Sequence, residues 1–408
     1  MERSLEPFRG VFTQQEAIPD DAIAAAVDVM RTGRLHRYNT VGDELGAASE
    51  LERAFADYQG TRFCLACASG GYAMSIALRA AGVEPGDTVL TNSFTLAPVP
   101  GAIASVGAHP VFVEITENLV LDLDDLKTKI SETGAKVLLL SSMRGHLCDM
   151  DALSALLADR DMLLIEDCAH TMGASWNGRL SGGFGLAGCF STQTYKHLNS
   201  GEGGLLTSDD PEFVARAIML SGSYMLYSRH GAAPPETTFE DIRLETPNMS
   251  GRMDNLRAAI LLPQLQTLDK NAQRWNERYD LIADGLSEVP AIQLPRRPDP
   301  EHYVGSSIQF RLPTLDPEKI LRFVELNKEM GVELKWFGDN TPVAFTSNHH
   351  SWKYADPQVL PKTDDILASL FDMRIPLSFT LDDCAHIARI IGHNASRCTS
   401  EVNLEKIE

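Results

Sequence analysis

Lys196 stands between hydroxyl and amide side chains on one side and a glycine cluster on the other, in the stretch Cys189-Phe-Ser-Thr-Gln-Thr-Tyr-Lys-His-Leu-Asn-Ser-Gly-Glu-Gly-Gly204. Upstream, the apolar run Met162-Leu-Leu-Ile165 ends in Glu166-Asp167. A lysine in a polar, glycine-flanked loop and an acid at the end of a buried-looking strand are the two groups that pyridoxal phosphate (PLP) chemistry requires. The lysine amine forms a Schiff base with the aldehyde, and the aspartate keeps the ring nitrogen protonated. Each group alone has an ordinary reading, as a helix cap and as a solvated surface charge. The order of the elements around them has to decide.

Those elements begin with a helix expected over residues 19–33, capped by Asp20 or Asp21 and ended by Gly33, and a second helix over 47–58. Phe63 to Gly82 reads as strand, glycine turn and helix. Glycines let backbone amides approach an anion, and a helix N-terminus adds a favourable dipole, so Ser69-Gly70-Gly71 is a phosphate-site candidate. The short strand Thr88-Val-Leu90 is followed by Asn92-Ser-Phe-Thr95, where Phe94 offers a flat ring. Strands at 110–114 and 136–140 alternate with helices at 98–106, 124–132 and 150–159 before the strand that ends in Asp167. Such alternation means βαβ crossovers and a mostly parallel sheet, whose ligands bind beyond the carboxyl ends of the strands. Ser69, Phe94 and Asp167 all fall just past such ends. Gly178-Arg-Leu-Ser-Gly-Gly-Phe-Gly185 is glycine-rich but neither follows a strand nor opens a helix, so it is no dinucleotide fingerprint.

The bulk numbers set limits. A chain of 408 residues is too long for one ordinary core, and 44% apolar with 23% charged residues reads as a globular protein. The net charge of −20 argues against a nucleic-acid partner. The opening Met1 to Gly10 has no apolar core of a signal peptide, and no run approaches a membrane span, so a cytoplasmic location and no membrane contact are expected. Seven cysteines in mostly apolar surroundings suit free buried thiols, and Cys64-Leu-Ala-Cys67 reads as packing. No metal site is expected: two adjacent histidines, His349 and His350, chelate one ion poorly from a regular element.

From about Ile18 to Gln266 the chain resembles the DegT/DnrJ/EryC1/StrS (sugar) aminotransferases. Lys196 falls at that family's Schiff-base position, and Glu166-Asp167-Cys168-Ala169-His170 at its Glu-Asp-Ala-Ala-Gln/His segment. The resemblance implies an α/β chain of fold-type I: a large PLP-binding domain over 1–265, with a mostly parallel sheet flanked by helices, then a connector helix and a smaller α+β domain over 266–408. It implies a covalent PLP on Lys196, stacking by Phe94, His170 at the ring 3′-oxygen, and Ser69, Gly70, Gly71 and Ser191 at the phosphate. Gly71 stands where the family has a threonine, so one hydroxyl is lost. Thr194 and Gln193 are possible helpers, and Arg229 and His230 lie in a long loop that can meet substrate or a partner subunit. Asn248 takes the place of an asparagine that crosses the interface of a homodimer with a shared active site. Here Asn248 and Arg252 stand further apart than in the family pattern. The implied function is transfer of an amino group from glutamate or glutamine to a keto sugar or related polyhydroxy carbonyl compound. The alternatives are a dehydratase or lyase on the same fold, whose members carry histidine at the lysine position, and a non-catalytic PLP-binding regulatory protein.

Overall fold

The computed structural model describes residues 5–405; Met1–Ser4, part of the opening segment, and the last three residues lie outside the described residues. Seven strands form the main sheet: β1 (Phe63–Cys67), β2 (Thr88–Asn92), β3 (His109–Val113), β4 (Val137–Ser141), β5 (Leu163–Asp167), β6 (Ala187–Ser191) and β7 (Gly204–Ser208). Their spatial order is β1-β7-β6-β5-β4-β2-β3. All neighbours run parallel except β7, which is antiparallel to both β1 and β6. The expected mostly parallel α/β sheet is therefore present, with one reversed strand that sequence alternation alone does not reveal.

Register decides where side chains end up. Ser141 pairs with Asp167, Asp167 with Cys189, Ser191 with Gly204, and Gly204 with Cys67. The carboxyl ends of β1, β4, β5 and β6 and the start of β7 thus share one edge. Asn92, the last residue of β2, stitches that edge together: its Oδ1 accepts the Ser141 amide at 2.8 Å, and its Nδ2 donates to the Phe94 carbonyl at 2.6 Å. Both faces of the sheet are covered, one by the helices Gly70–Ala80 and Pro211–Leu220, the other by Leu123–Thr133 and Met150–Asp159, and the strands read as near-continuous apolar runs for that reason.

A second core forms around β8 (Ser307–Arg311), β9 (Lys335–Trp336) and β10 (Leu370–Arg374), in the order β8-β10-β9 and fully antiparallel. The helices Leu268–Ser287, Pro317–Glu329 and Leu381–Glu405 pack on it. Phe8 and Phe12 also lie in this core, and the Phe8 amide donates to the Met330 carbonyl at 2.8 Å. The first residues therefore pack with the C-terminal layer, not with the large sheet to which the 1–265 assignment joined them. The connector helix, Leu268–Ser287, is preceded by a separate helix, Asn255–Leu265, with a break at Gln266–Thr267. Pro263, one turn earlier, cannot supply an amide to that ladder. The first helix, Asp20–Thr32, has Pro19 at its N-cap, so Asp20 and Asp21 sit in its first turn, where they favour the helix dipole instead of capping it.

His230 is tied down inside its loop, while Arg229 beside it stays exposed. Glu52, Arg37 and His230 are all buried. Arg37 Nη2 lies 2.8 Å from Glu52 Oε2 and 2.9 Å from His230 Nδ1, and Tyr38 Oη lies 2.7 Å from His230 Nε2. Glu52 also accepts the amides of Ala66 and Gly231. Arg229 donates to the Tyr38 carbonyl at 3.0 Å. This network fastens the 34–42 loop to the second helix, Ala47–Gln59. Its charges, Arg37 first, hold the Glu52 carboxyl well below the ordinary range despite burial. A carboxylate depressed in the fold and titrating near about pH 4.3 unfolded stabilises the native state above that pH, and the contribution is lost as pH falls further. Glu52→Gln is expected to cost about 3–5 kcal/mol near neutral pH, because it leaves Arg37 buried and unpaired. Urea unfolding checks it: the gap between wild type and variant should be widest near pH 7 and narrow below about pH 4.

Candidate active site

Asp167 ends β5 and is buried. Its Oδ2 accepts from Ser141 Oγ at 2.8 Å, across the β4–β5 register, and its Oδ1 accepts the Ala169 amide at 3.1 Å. Among the described residues no cation lies within ion-pair distance of it. Burial raises its carboxyl above the ordinary range, against the lowering effects of Ser141, Lys196 and the Ala169 amide. A buried carboxylate with two neutral donors has acceptor capacity left for an N–H, as a pyridinium nitrogen would present.

Glu166, next to it, points to the opposite side of the strand and has a different task. Its two oxygens accept the amides of Gly182, Phe184 and Gly185 at 2.7–3.0 Å. The glycine-rich stretch wraps around this carboxylate. A Cβ on Gly185 would lie 2.3 Å from the Leu164 carbonyl oxygen, so glycine is required by close approach to β5.

Lys196 leaves the loop after β6 and places Nζ 2.8 Å from His170 Nε2. Burial, then the charges of Arg144, Arg374 and Lys335, push the Lys196 amine down to about 7, with Asp167 opposing. His170 is itself held neutral, by burial first and also by the charge of Arg144. Its Nδ1 accepts the Arg144 amide at 3.4 Å, so the ring proton sits on Nε2 and is donated to the lysine lone pair. That bond requires an uncharged amine, in line with its lowered pKa.

The phosphate candidates also meet. Ser69 is the N-cap of the helix Gly70–Ala80, its Oγ accepting the Tyr72 amide at 3.1 Å. A Cβ on Gly70 would fall 2.9 Å from Ser191 Cβ, and one on Gly204 would fall 2.3 Å from the Ser69 carbonyl carbon and oxygen. Ser69, Gly70 and Ser191 are thereby packed into one turn at the sheet edge, with helix amides directed outward. A Cβ on Gly71 would meet only Pro98 Cβ at 3.8 Å and Ser69 Oγ at 4.0 Å, so the space of the missing side chain is open. Buried carboxylate, uncharged amine and helix-terminal turn therefore fit PLP on the residues' own chemistry.

One sequence expectation does not hold as stated. Phe94 is 1% exposed, enclosed with Ile115, Met143, Leu367 and Leu370 and edge-to-face with Phe337 at 5.2 Å. It offers no accessible face for a cofactor ring; Leu96, two residues on, is the part-exposed apolar side chain at that strand end. Asn248 is exposed, its Oδ1 holding the Tyr224 amide at 2.8 Å, and it bonds to none of the groups around Lys196. His197, next to Lys196, is buried, pushed down to about 3 by burial, and linked to Ser306 Oγ at 3.1 Å. Thr194 and Gln193 shape the loop itself, through the Gly201 carbonyl and the Tyr195 amide.

Sequence reading missed a cationic cluster. Arg144 adopts φ 57° directly after β4 and is buried, with Nη2 2.8 Å from Asp372 and Nε without a hydrogen-bond partner. Lys335 Nζ lies 3.4 Å from the same carboxylate, and Gln309 Nε2 donates to it at 2.8 Å. Arg374 stands 3.6 Å over the Tyr195 ring and has no carboxylate within ion-pair distance among the described residues. Arg374, Lys335 and Tyr195, the last being the chain neighbour of Lys196, line a cavity of about 780 Å³, with Arg9, Lys328, Glu333 and Asp339 as its other charged walls. In a chain of net charge −20 this is a locally positive site. The one available signal was Arg144, a polar residue just beyond a parallel strand end. The others converge from three separate strands.

The DegT/DnrJ/EryC1/StrS aminotransferase family model matches residues 17–392. The chain belongs to this family. It is 32% identical over 253 residues to the spore coat polysaccharide biosynthesis protein SpsC of Bacillus subtilis, covering 60% of this chain and 63% of that protein. It is 32% identical over 278 residues to L-glutamine:scyllo-inosose aminotransferase of Streptomyces griseus, covering 66% and 63%. The chain thus spans less than two thirds of the length of these curated relatives. In structure it is similar to the E. coli GDP-4-keto-6-deoxy-D-mannose-3-dehydratase with bound hydrated PLP, with TM-score 0.80, 18% identity, and 95% and 100% of the two chains covered. That likeness establishes the PLP-enzyme fold and leaves the reaction open, since this neighbour is named a dehydratase.

The lowered Lys196 pKa gives a pH dependence. The charged amine is not nucleophilic, so PLP capture by cofactor-free protein should accelerate through a midpoint near pH 7 and then level off. Lys335→Met removes a neighbouring cation and should move the midpoint upward. Stopped-flow absorbance reads both; a wild-type midpoint above pH 9 contradicts the assignment.

Proposed function

We propose that the chain is a PLP-dependent aminotransferase, carrying its cofactor covalently on Lys196 and working as a homodimer. It takes the amino group of glutamate or glutamine and delivers it to a keto sugar or related polyhydroxy carbonyl acceptor. The observation that carries this reading is the 2.8 Å contact of Lys196, its amine lowered to about 7, with neutral His170, while among the described residues Asp167 has no ion-pair partner at the same sheet edge.

When bound, PLP supplies a carbonyl that captures amines and a ring that accepts the electron pair released at the substrate carbon. Asp167 holds the proton on the ring nitrogen. Ser191 Oγ, with the amides of Gly70 and Gly71 at the helix N-terminus, holds the phosphate. His170 Nε2, freed from Lys196, donates to the ring 3′-oxygen. With PLP in place, Lys196 Nζ would take the proton from the donor α-carbon and, in the second half-reaction, give one to the acceptor carbon that receives the amine. The donor leaves as its keto acid, having exchanged one amino group for one carbonyl oxygen. Exposed Asn248 has its Oδ1 engaged, which leaves Nδ2 to offer to a partner subunit's phosphate.

Arg374 and Lys335 give substrates a second anchor. Their charge beside Lys196 suits the carboxylates of the donor and an acidic acceptor better than a neutral one. Two measurements test the reading. Added glutamate or glutamine should bleach the visible band of the PLP-loaded protein, and Lys196→Ala should lower turnover by more than about 10²-fold. Arg374→Met should raise KM for the donor about 10–100-fold, the worth of one charged hydrogen bond. A loaded protein that neither donor bleaches contradicts the transaminase reading.

A further inference from the structure

His349 and His350 sit in the 3₁₀ turn His349–Ser351, and the ordinary expectation that neighbouring side chains diverge does not hold there. His349 Nε2 is 2.7 Å and His350 Nε2 2.9 Å from the same atom, Asp364 Oδ1. The two rings stack with centroids 3.9 Å apart and a 39° tilt. The turn is fixed from below by Asn348, whose Oδ1 accepts the His350 amide at 3.1 Å and whose Nδ2 donates to the Phe337 carbonyl at 3.1 Å.

We propose that His349, His350 and Asp364 bind a divalent transition cation of the Zn²⁺ type, which clips the 337–360 segment to the helix Pro361–Ala368. Three Lewis bases from two separate elements converge on one point, with all ligand atoms within 4.8 Å of one another. Bonds of about 2.0–2.1 Å in a tetrahedral site put ligand atoms about 3.3 Å apart. Asp364 Oδ1 therefore has to withdraw by only about half an ångström from its present hydrogen bonds for an ion to take the place of the two imidazole protons. Two imidazoles and one carboxylate select Zn²⁺ or Co²⁺ over Mg²⁺ or Ca²⁺, which prefer oxygen. His349 is buried and its imidazole is held neutral by that burial, the form that ligates. His350 is exposed and Asp364 half-buried, so an ion reaches the site from solvent and a water completes the fourth position.

The surroundings give the clip a purpose. Residues 337–360 form no strand or α-helix, and a segment of that length needs fastening. It supplies Asp339, Val343, Phe345 and Thr346 to the wall of the cavity that Tyr195 lines. The helix it would be fastened to is anchored on the sheet: Thr363 Oγ1 lies 2.7 Å from Ser93 Oγ and 2.6 Å from Glu114 Oε2. The cation thus ties one cavity wall to the ends of β2 and β3. This inference does not rest on the aminotransferase reading.

The test is calorimetric titration of the full chain, stripped with EDTA and dialysed, with ZnCl₂. The expected result is one ion per chain, weakened at least about 10-fold in His350→Ala and in Asp364→Asn. Co²⁺ should give the d–d absorption of a tetrahedral site in wild type and not in His350→Ala. His350 is exposed, so that variant keeps its fold, which far-UV circular dichroism checks. Equal Zn²⁺ binding by wild type and His350→Ala, or no wild-type binding below about 0.1 mM, overturns the proposal.

Discussion

An acid and an amine share one end of the sheet without neutralising each other. Asp167 and Lys196 are the obvious ion pair of this site, yet no ion pair joins them among the described residues: the carboxylate rests on Ser141 and the Ala169 amide, the amine on a neutral histidine. Had they paired, each would have been lost to a bound cofactor, the carboxylate to a pyridinium and the amine to a carbonyl. Register keeps them apart. The β4–β5 pairing sets Ser141 opposite Asp167, and the loop after β6 carries Lys196 over to His170 instead.

The rest of the architecture maintains that separation. Asn92 locks the neighbouring strand ends, Glu166 gathers the glycine-rich stretch behind β5, and reversed β7 backs Gly204 against the Ser69 turn. Arg144 after β4, with Lys335 and Arg374 from the second core, surrounds the amine with positive charge, while Asp372 offsets part of it. The same cations that keep the lysine uncharged make the adjoining cavity attractive to carboxylates. One set of charges therefore serves both the nucleophile and the substrate anchor, and it spans both layers of the chain.

Much of this was legible in the sequence, for a physical reason. Parallel strands buried on both faces are continuous apolar runs, and ligands collect at their carboxyl ends, so Asp167 and Ser69 could be placed by pattern, and Ser191 by the family resemblance. Phe94 was misjudged because strand-end position does not say which way a ring turns; its neighbours in space, Phe337 and Leu370, lie hundreds of residues away. His230 looked like a ligand-facing loop residue because its partners Arg37 and Glu52 are equally remote. Lys335, Asp372 and Arg374 carry no local signature, since their meaning arises only when β8, β9 and β10 pack beside β4. Adjacent His349 and His350 were discounted on the geometry of regular elements, and a turn obeys other rules.

The central claim is that Lys196, not one of the other lysines, is the amine that reacts. Borohydride reduction of the PLP-loaded protein, followed by peptide mass mapping, tests it most directly. The account predicts a single pyridoxyl group on the peptide containing Lys196, absent when Lys196→Ala protein is treated in the same way. A pyridoxyl group on Lys335 or any other lysine, or none on Lys196 in a loaded protein, would contradict it.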